Sequence, residues 1–164
     1  MIDEVPPSRI ITSRGEFHDA LRQSFALMAD QGCREVFVAD PSFADWPLGE
    51  RAVLESLTRW AYAHRKLTVL AQTFDEFPRR HTRWVEWRRQ WAHVVECRAL
   101  ADDDAGKLTG LFLVPGLLTL RVLDAEHYRA SLSFEPADAI RVRDNLDAFL
   151  QRSEEAFPVT TLGL

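Results

Sequence analysis

Between Ser13 and Gly32 apolar residues recur at helical spacing, at Phe17, Leu21, Phe25 and Met28, with polar residues between them. Ser13 and Glu16 stand at capping-box spacing ahead of this run and Gly32 follows it, so the pattern predicts a helix with both ends marked. The periodicity then changes. "REVFVAD" (34–40) and "LTVLAQ" (67–72) are short, continuous and apolar, as strands buried on both faces are. Between them "PSFADWPLG" reads as a loop. Pro47 suits the first turn of a helix running to about His64, with Val53, Leu57, Trp60 and Ala61 on one face. "VVECRAL" predicts a third strand and acidic "ADDDAGK" a turn, and residues 108–114 and 117–123 form a hairpin around Pro115-Gly116. "YRASLSF" (128–134) predicts one more strand. Pro136 then opens a last helix with Ile140, Leu146, Phe149 and Leu150 as its expected buried positions. Residues 1–12 read as an extended lead-in, because Pro6-Pro7 blocks a helix, and 155–164 as an apolar, Pro-broken tail.

Strands alternating with helices imply parallel crossovers, and the later hairpin adds antiparallel strands. The expected class is α/β, with a mixed, largely parallel sheet and helices on both faces, in a single domain over residues 1–164.

Composition changes this picture little. With 46% hydrophobic and 27% charged residues, the 164-residue chain is ordinary for a soluble globular protein. Its formal net charge of −5 argues against a protein that coats DNA or anionic membrane with its whole surface. Cys33 and Cys97 are too few for a disulfide framework or a zinc site, and they suit a reducing, cytoplasmic setting. The most apolar run, 108–123, is broken by Pro115-Gly116 and is too short to span a bilayer, so no membrane is expected.

One stretch departs from the average. "FPRRHTRWVEWRRQWAHVVEC" (77–97) holds three of the five tryptophans and five of the eighteen arginines. On a helical wheel Trp84, Trp87, Trp91, Val94 and Val95 fall within about 100°, the stripe of a helix lying on a sheet. Glu86, Arg89 and His93 lie opposite, Arg79 and Arg83 flank, and Arg80 and Arg88 sit beside the stripe, where their stems cover it while the guanidiniums reach out. A single-strand binding platform needs aromatic rings and cations on one surface, so this split argues against nucleic acid as a partner. It leaves a candidate anion or partner surface at Arg79, Arg80, Arg83, Arg88, Arg89 and His93, suited to a phosphate-containing ligand.

Catalytic patterns are missing. Gly106-Lys107 is followed by Leu108 and preceded at position 101 by Ala, which breaks a P-loop. G-x-G-x-x-G, G-x-S-x-G and H-E-x-x-H do not occur. The consecutive carboxylates of Asp102, Asp103 and Asp104 diverge, where a hard cation needs converging ligands. Neither a cofactor nor a metal is expected. Asp40 with Asp45, and Asp75 with Glu76, lie beyond the ends of the first two predicted strands, where α/β sheets bind ligands.

The element order, the stretches REVFVAD and LTVLAQ, the late hairpin, "SLSFEP" and the last helix together resemble one half of a phospholipase D-like domain. The resemblance implies a nucleophilic His and a phosphate-binding Lys in H-x-K-x(4)-D on a late strand. His64-Arg65-Lys66 has the first spacing, but Ala71 stands where Asp should be, and the hairpin TGLFLVPGLLTL has no His. No catalytic residue is carried over. "RRHTRWVEWRRQWAHVVE" and "FPVTTLGL" are more similar to a bacterial domain of this fold that lacks the motif and often follows an acetyltransferase domain. The resemblance implies a homodimer, since two halves pair in the superfamily, and an acetyltransferase or other protein partner. The expected function is a non-catalytic binding or regulatory module. The alternative is a phosphodiesterase-type hydrolase with a degenerate site drawn from His81, His93, nearby Arg, Asp40 and Asp75.

Overall fold

The computed structural model describes residues 8–159. Strand β1 (Arg9–Ile11) leads into helix α1 (Arg14–Gln31), strand β2 (Glu35–Asp40), helix α2 (Arg51–Trp60) and strand β3 (Lys66–Ala71). A short α3 (Phe77–Arg80), α4 (Thr82–Gln90), β4 (Val95–Ala99) and a 3-10 turn at Asp102–Asp104 come next. The hairpin β5 (Leu111–Val114) and β6 (Leu118–Asp124), then β7 (Arg129–Ser133), α5 (Pro136–Arg152) and β8 (Glu154–Glu155) complete the order.

The caps of α1 form as its sequence dictates. Ser13 Oγ accepts from the Glu16 N–H at 3.2 Å, and Gly32 turns left-handed at φ 64° with its N–H on the Ala29 carbonyl. Helix α2 is shorter than its pattern suggests. Residues 47–50 close a separate turn, Glu50 N–H to Pro47 O at 3.3 Å, so the helix starts at Arg51. It stops at Trp60, whose indole is fully buried and donates to the Cys33 carbonyl at 2.6 Å.

The eight strands form one mixed sheet in the order β1-β7-β6-β5-β2-β3-β4-β8. Strands β2, β3 and β4 are parallel, with Phe37 beside Thr68 and Leu67 beside Val95; every other ladder is antiparallel. The lead-in contributes an edge strand, since Arg9–Ile11 pairs with β7, and three residues are too few to carry a strand pattern. Period-two alternation sends Val36, Val38, Phe112 and Val114 into the core beneath α1, α2 and α4. It sends Phe37, Ala39, Leu111 and Leu113 into a second core under α5. Two buried faces explain why these strands read as unbroken apolar runs.

On α5 the sheet-facing positions are Ala139, Val142 and Leu146, with Phe149 and Leu150 half-buried, whereas Ile140 is 64% exposed, a correction to its expected burial. In the tail, Phe157 stacks on Phe74 with centroids 5.3 Å apart, and the last five residues, 160–164, lie outside those described. Among the described residues no helix is long and apolar enough to cross a membrane.

Candidate functional sites: an arginine groove and a strand-end pocket

The segment around the tryptophans is two helices, not one. Pro78 sits in the first turn of α3, and the chain breaks at His81, whose backbone leaves helical values and whose ring is buried with Nε2 2.7 Å from the Phe43 carbonyl. Burial pushes the His81 pKa down, against the pull of that carbonyl. Trp84 and Trp87 are buried and anchor α4 to the sheet, and Trp91, just past the helix, is half-buried. At about 200 Å² of buried area each, a tryptophan contributes roughly 5 kcal/mol of burial, which is why the stripe faces inward.

The structure disperses the six residues expected to form one anion surface. Arg79 and Arg80 share Glu76, Arg80 at 2.6 Å, and the pair holds that carboxyl below its usual range. Arg89 pairs with Glu86 at 3.1 Å. Arg88 does not reach out to solvent as its wheel position suggests. It is 6% exposed, with its guanidinium on the Phe157 carbonyl and ring. Arg88 and His93 line a cleft of about 820 Å³ at the amino ends of β3 and β4, with His64, Arg65 and Lys66. The cations there are engaged: Lys66 with Glu96 at 2.6 Å and Arg65 with the Trp60 carbonyl at 2.5 Å.

Arg83 is exposed and makes no ion pair among the described residues. It lines a groove of about 650 Å³ between α2 and α4, with Arg51, Arg59 and Glu55. It also lines an adjoining hollow of about 570 Å³ at the amino end of α4, with Arg80, His81 and Thr82. Arg59 is held by Asp30 at 2.9 Å, whereas Arg51 and Arg83 have no ion pair among the described residues. Arg51 was missed in the sequence because it belongs to a different helix. An unpaired Arg in the first turn of α2, where a cation opposes the helix dipole, was the available signal.

A second site lies beyond the carboxyl end of β2. A cavity of about 210 Å³ is lined by Phe17, Asp40, Asp45, Trp46, Val122 and Tyr128, among others. Asp40 Oδ2 accepts the Phe43 N–H at 2.8 Å and the Ser42 N–H at 3.2 Å. Burial nevertheless raises its pKa above the usual carboxylate range, the two N–H donors pulling the other way. The Trp46 indole approaches this carboxyl closely enough to lower its proton affinity, yet its buried N–H meets no acceptor in hydrogen-bonding geometry. His18 Nε2 lies 2.6 Å from the Asp45 carbonyl, so His18 and His81 hold the β2–α2 loop from two sides.

Of the hydrolase candidates, His81 and Asp40 share the loop beyond β2, where both hold Phe43, but His93 is remote from them. His93 precedes β4, while Asp40 and Asp75 follow β2 and β3, so in these parallel strands they sit at opposite ends of the sheet, on the order of 15 Å apart. Burial pushes the Cys97 thiol up to about 12, which leaves it inert. Among the described residues no three His, Cys, Asp or Glu side chains gather as a metal site would require.

No protein-family model matches the sequence, and no curated protein does. Solved structures do match its fold. TrmBL2, an archaeal chromatin protein whose structure shows a novel mode of DNA binding, superposes with a TM-score of 0.65 at 13% identity over 94% of this chain. This chain spans 56% of that one. NucT from Helicobacter pylori gives 0.62 at 8% identity, covering 92% of this chain and 99% of its own. Nuc from Salmonella typhimurium, a phospholipase D family member, gives 0.57 at 6% identity, covering 93% and 100%. At such identities the likeness is one of fold, and the fold is phospholipase D-like.

Proposed function

We propose that this chain is a cytoplasmic, non-catalytic binding module that takes a phosphate-bearing polyanion in the groove between α2 and α4. The observation that carries this reading is the meeting of Arg51 and Arg83, from two helices and without ion pairs among the described residues, in one groove with Arg59. Guanidinium forks match phosphate oxygens two at a time. Arg80 lines the adjoining hollow with Arg83, and an exposed pair such as Arg80 with Glu76 is weak enough to exchange for a ligand.

TrmBL2 is a DNA-binding protein, and that likeness in fold readmits nucleic acid as a source of the polyanion. With Trp84 and Trp87 buried, no aromatic platform accompanies the arginines, so contact would be to the backbone and independent of sequence. The hydrolase alternative has less support, because His93 lies at the opposite end of the sheet from Asp40 and Asp75, and His81 is buried with its ring against the Phe43 carbonyl. A homodimer and an acetyltransferase domain as protein partner belong to the same reading, and sedimentation of the chain alone and with such a domain checks both.

The direct test is titration of labelled duplex DNA and of pyrophosphate into the protein across a salt series. Affinity should fall linearly on a log–log plot, and an Arg51→Gln, Arg83→Gln double variant should lower the slope by about two, one per phosphate contact. Unchanged binding in that variant, or no binding of either probe by the natural chain, would remove this reading.

A further inference from the structure

The cavity beyond β2 has the opposite chemistry from the arginine groove. Three aromatic rings from three elements form its wall: Phe17 from α1, Trp46 from the β2–α2 loop and Tyr128 from the turn before β7. Phe17 meets Trp46 edge to face, centroids 6.3 Å apart at 87°, and Tyr128 at 6.2 Å and 48°. Asp40 and Asp45 supply carboxylates, and no Lys or Arg lines the space.

Two polar groups meet at this wall, the Asp40 carboxyl and the Trp46 indole N–H beside it. Both backbone donors of the loop go to Asp40 Oδ2, and among the described residues Oδ1 receives no backbone donor. Trp46 is 4% exposed, and its Nε1–H, though close to the Asp40 carboxyl, completes no well-aligned hydrogen bond among the described residues. The backbone is also set in unusual ways here, with Phe43 at φ 59° and Tyr128 at φ 54°, values non-glycine residues seldom adopt.

We infer that this cavity binds a small alkylammonium cation, enclosed by Phe17, Trp46 and Tyr128 and neutralised by Asp40 and Asp45. Cations are drawn to aromatic faces, and a methylated ammonium is dehydrated more readily than a bare metal ion. The alternatives fit less well. At about 210 Å³ the space falls below the roughly 300–1,000 Å³ of drug-sized sites, so a nucleotide is too large. An anion would face two carboxylates. A calcium or magnesium ion needs six or so converging oxygens, and three walls here are aromatic rings. The inference is independent of the arginine groove, since no arginine is shared between the two sites.

Tetramethylammonium chloride titrated into nitrogen-15-labelled protein tests it, followed at the Trp46 indole N–H, with sodium chloride as the ionic control and neopentyl alcohol as the neutral isostere. The indole resonance should shift and saturate with tetramethylammonium alone. Asp40→Asn, which retains an acceptor for the loop, and Tyr128→Asn, which tolerates the left-handed backbone, should each weaken binding roughly tenfold. Absence of saturation overturns the proposal, as does equal binding of neopentyl alcohol. So does unchanged affinity in both variants when their spectra show them folded.

Discussion

Arg88 is turned into the protein, its guanidinium donating to the Phe157 carbonyl while Cζ lies 5.3 Å from the centre of the Phe157 ring. The contact ties α4 to the tail beyond β8 and stacks Phe157 against Phe74. An Arg88→Ala change leaves the half-buried Phe157 carbonyl without its donor and an aromatic face uncovered. It should cost about 2–4 kcal/mol in denaturant unfolding while leaving polyanion affinity unaltered. Weakened binding in a variant of unchanged stability would instead return Arg88 to the binding surface.

His81 should make the fold acid-sensitive. Its folded pKa lies below the unfolded value near 6.5, so the neutral ring is favoured in the native state. That stability is present above about pH 6.5 and is lost as pH falls through the lower, folded value. Thermal melts across this window should show the decline, and His81→Gln, which can still donate to the Phe43 carbonyl, should flatten it.

Asp40 should act with the opposite sign. Its raised pKa means that its contribution is full in acid and is lost as pH rises through the folded value. At neutral pH the buried carboxylate is therefore a cost. Asp40→Asn should raise the melting temperature at pH 7, with the gain shrinking below the ordinary carboxylate range. A melting temperature lowered at every pH would show that the second oxygen is needed by the loop.

Gly110 is fixed by close packing. A Cβ there would lie 2.6 Å from Val122 Cγ2 and 2.9 Å from Asp40 Oδ1. Gly110→Ala should destabilise by about 1–3 kcal/mol, measured by chemical denaturation, and should disturb the pocket beyond β2. Gly32→Ala should cost about 1 kcal/mol, for its backbone conformation and not for space, since the flexible Arg65 side chain can yield.

Much of this architecture is written locally. Ser13, Glu16 and Gly32 mark α1 by their own hydrogen bonds, and the two buried faces of β2 and β3 show as mostly apolar runs, broken in β3 only by Thr68. What the chain does not write locally is where long side chains turn. The wheel position of Arg88 was readable, but its partner Phe157 lies far along the chain, beyond the reach of any periodicity. Ile140 looked buried because α5 was phased on its large residues, whereas the sheet accepted Ala139 and Val142. Arg51 and Arg83 share a groove only because α2 and α4 pack side by side on one face. The aromatic cavity joins α1, a loop and a turn, so its carboxylates were visible at a strand end but its walls were not.

The sheet is closed at one edge by residues 9–11 and at the other by residues 154–155. In kinetic terms each closure joins segments far apart in sequence to a sheet that must already exist, so both edges should form after the transition state. Until they do, β7 and β4 present open ladders to other chains. Protection from aggregation would then depend on how quickly two very short strands dock, not on how stable the central strands are.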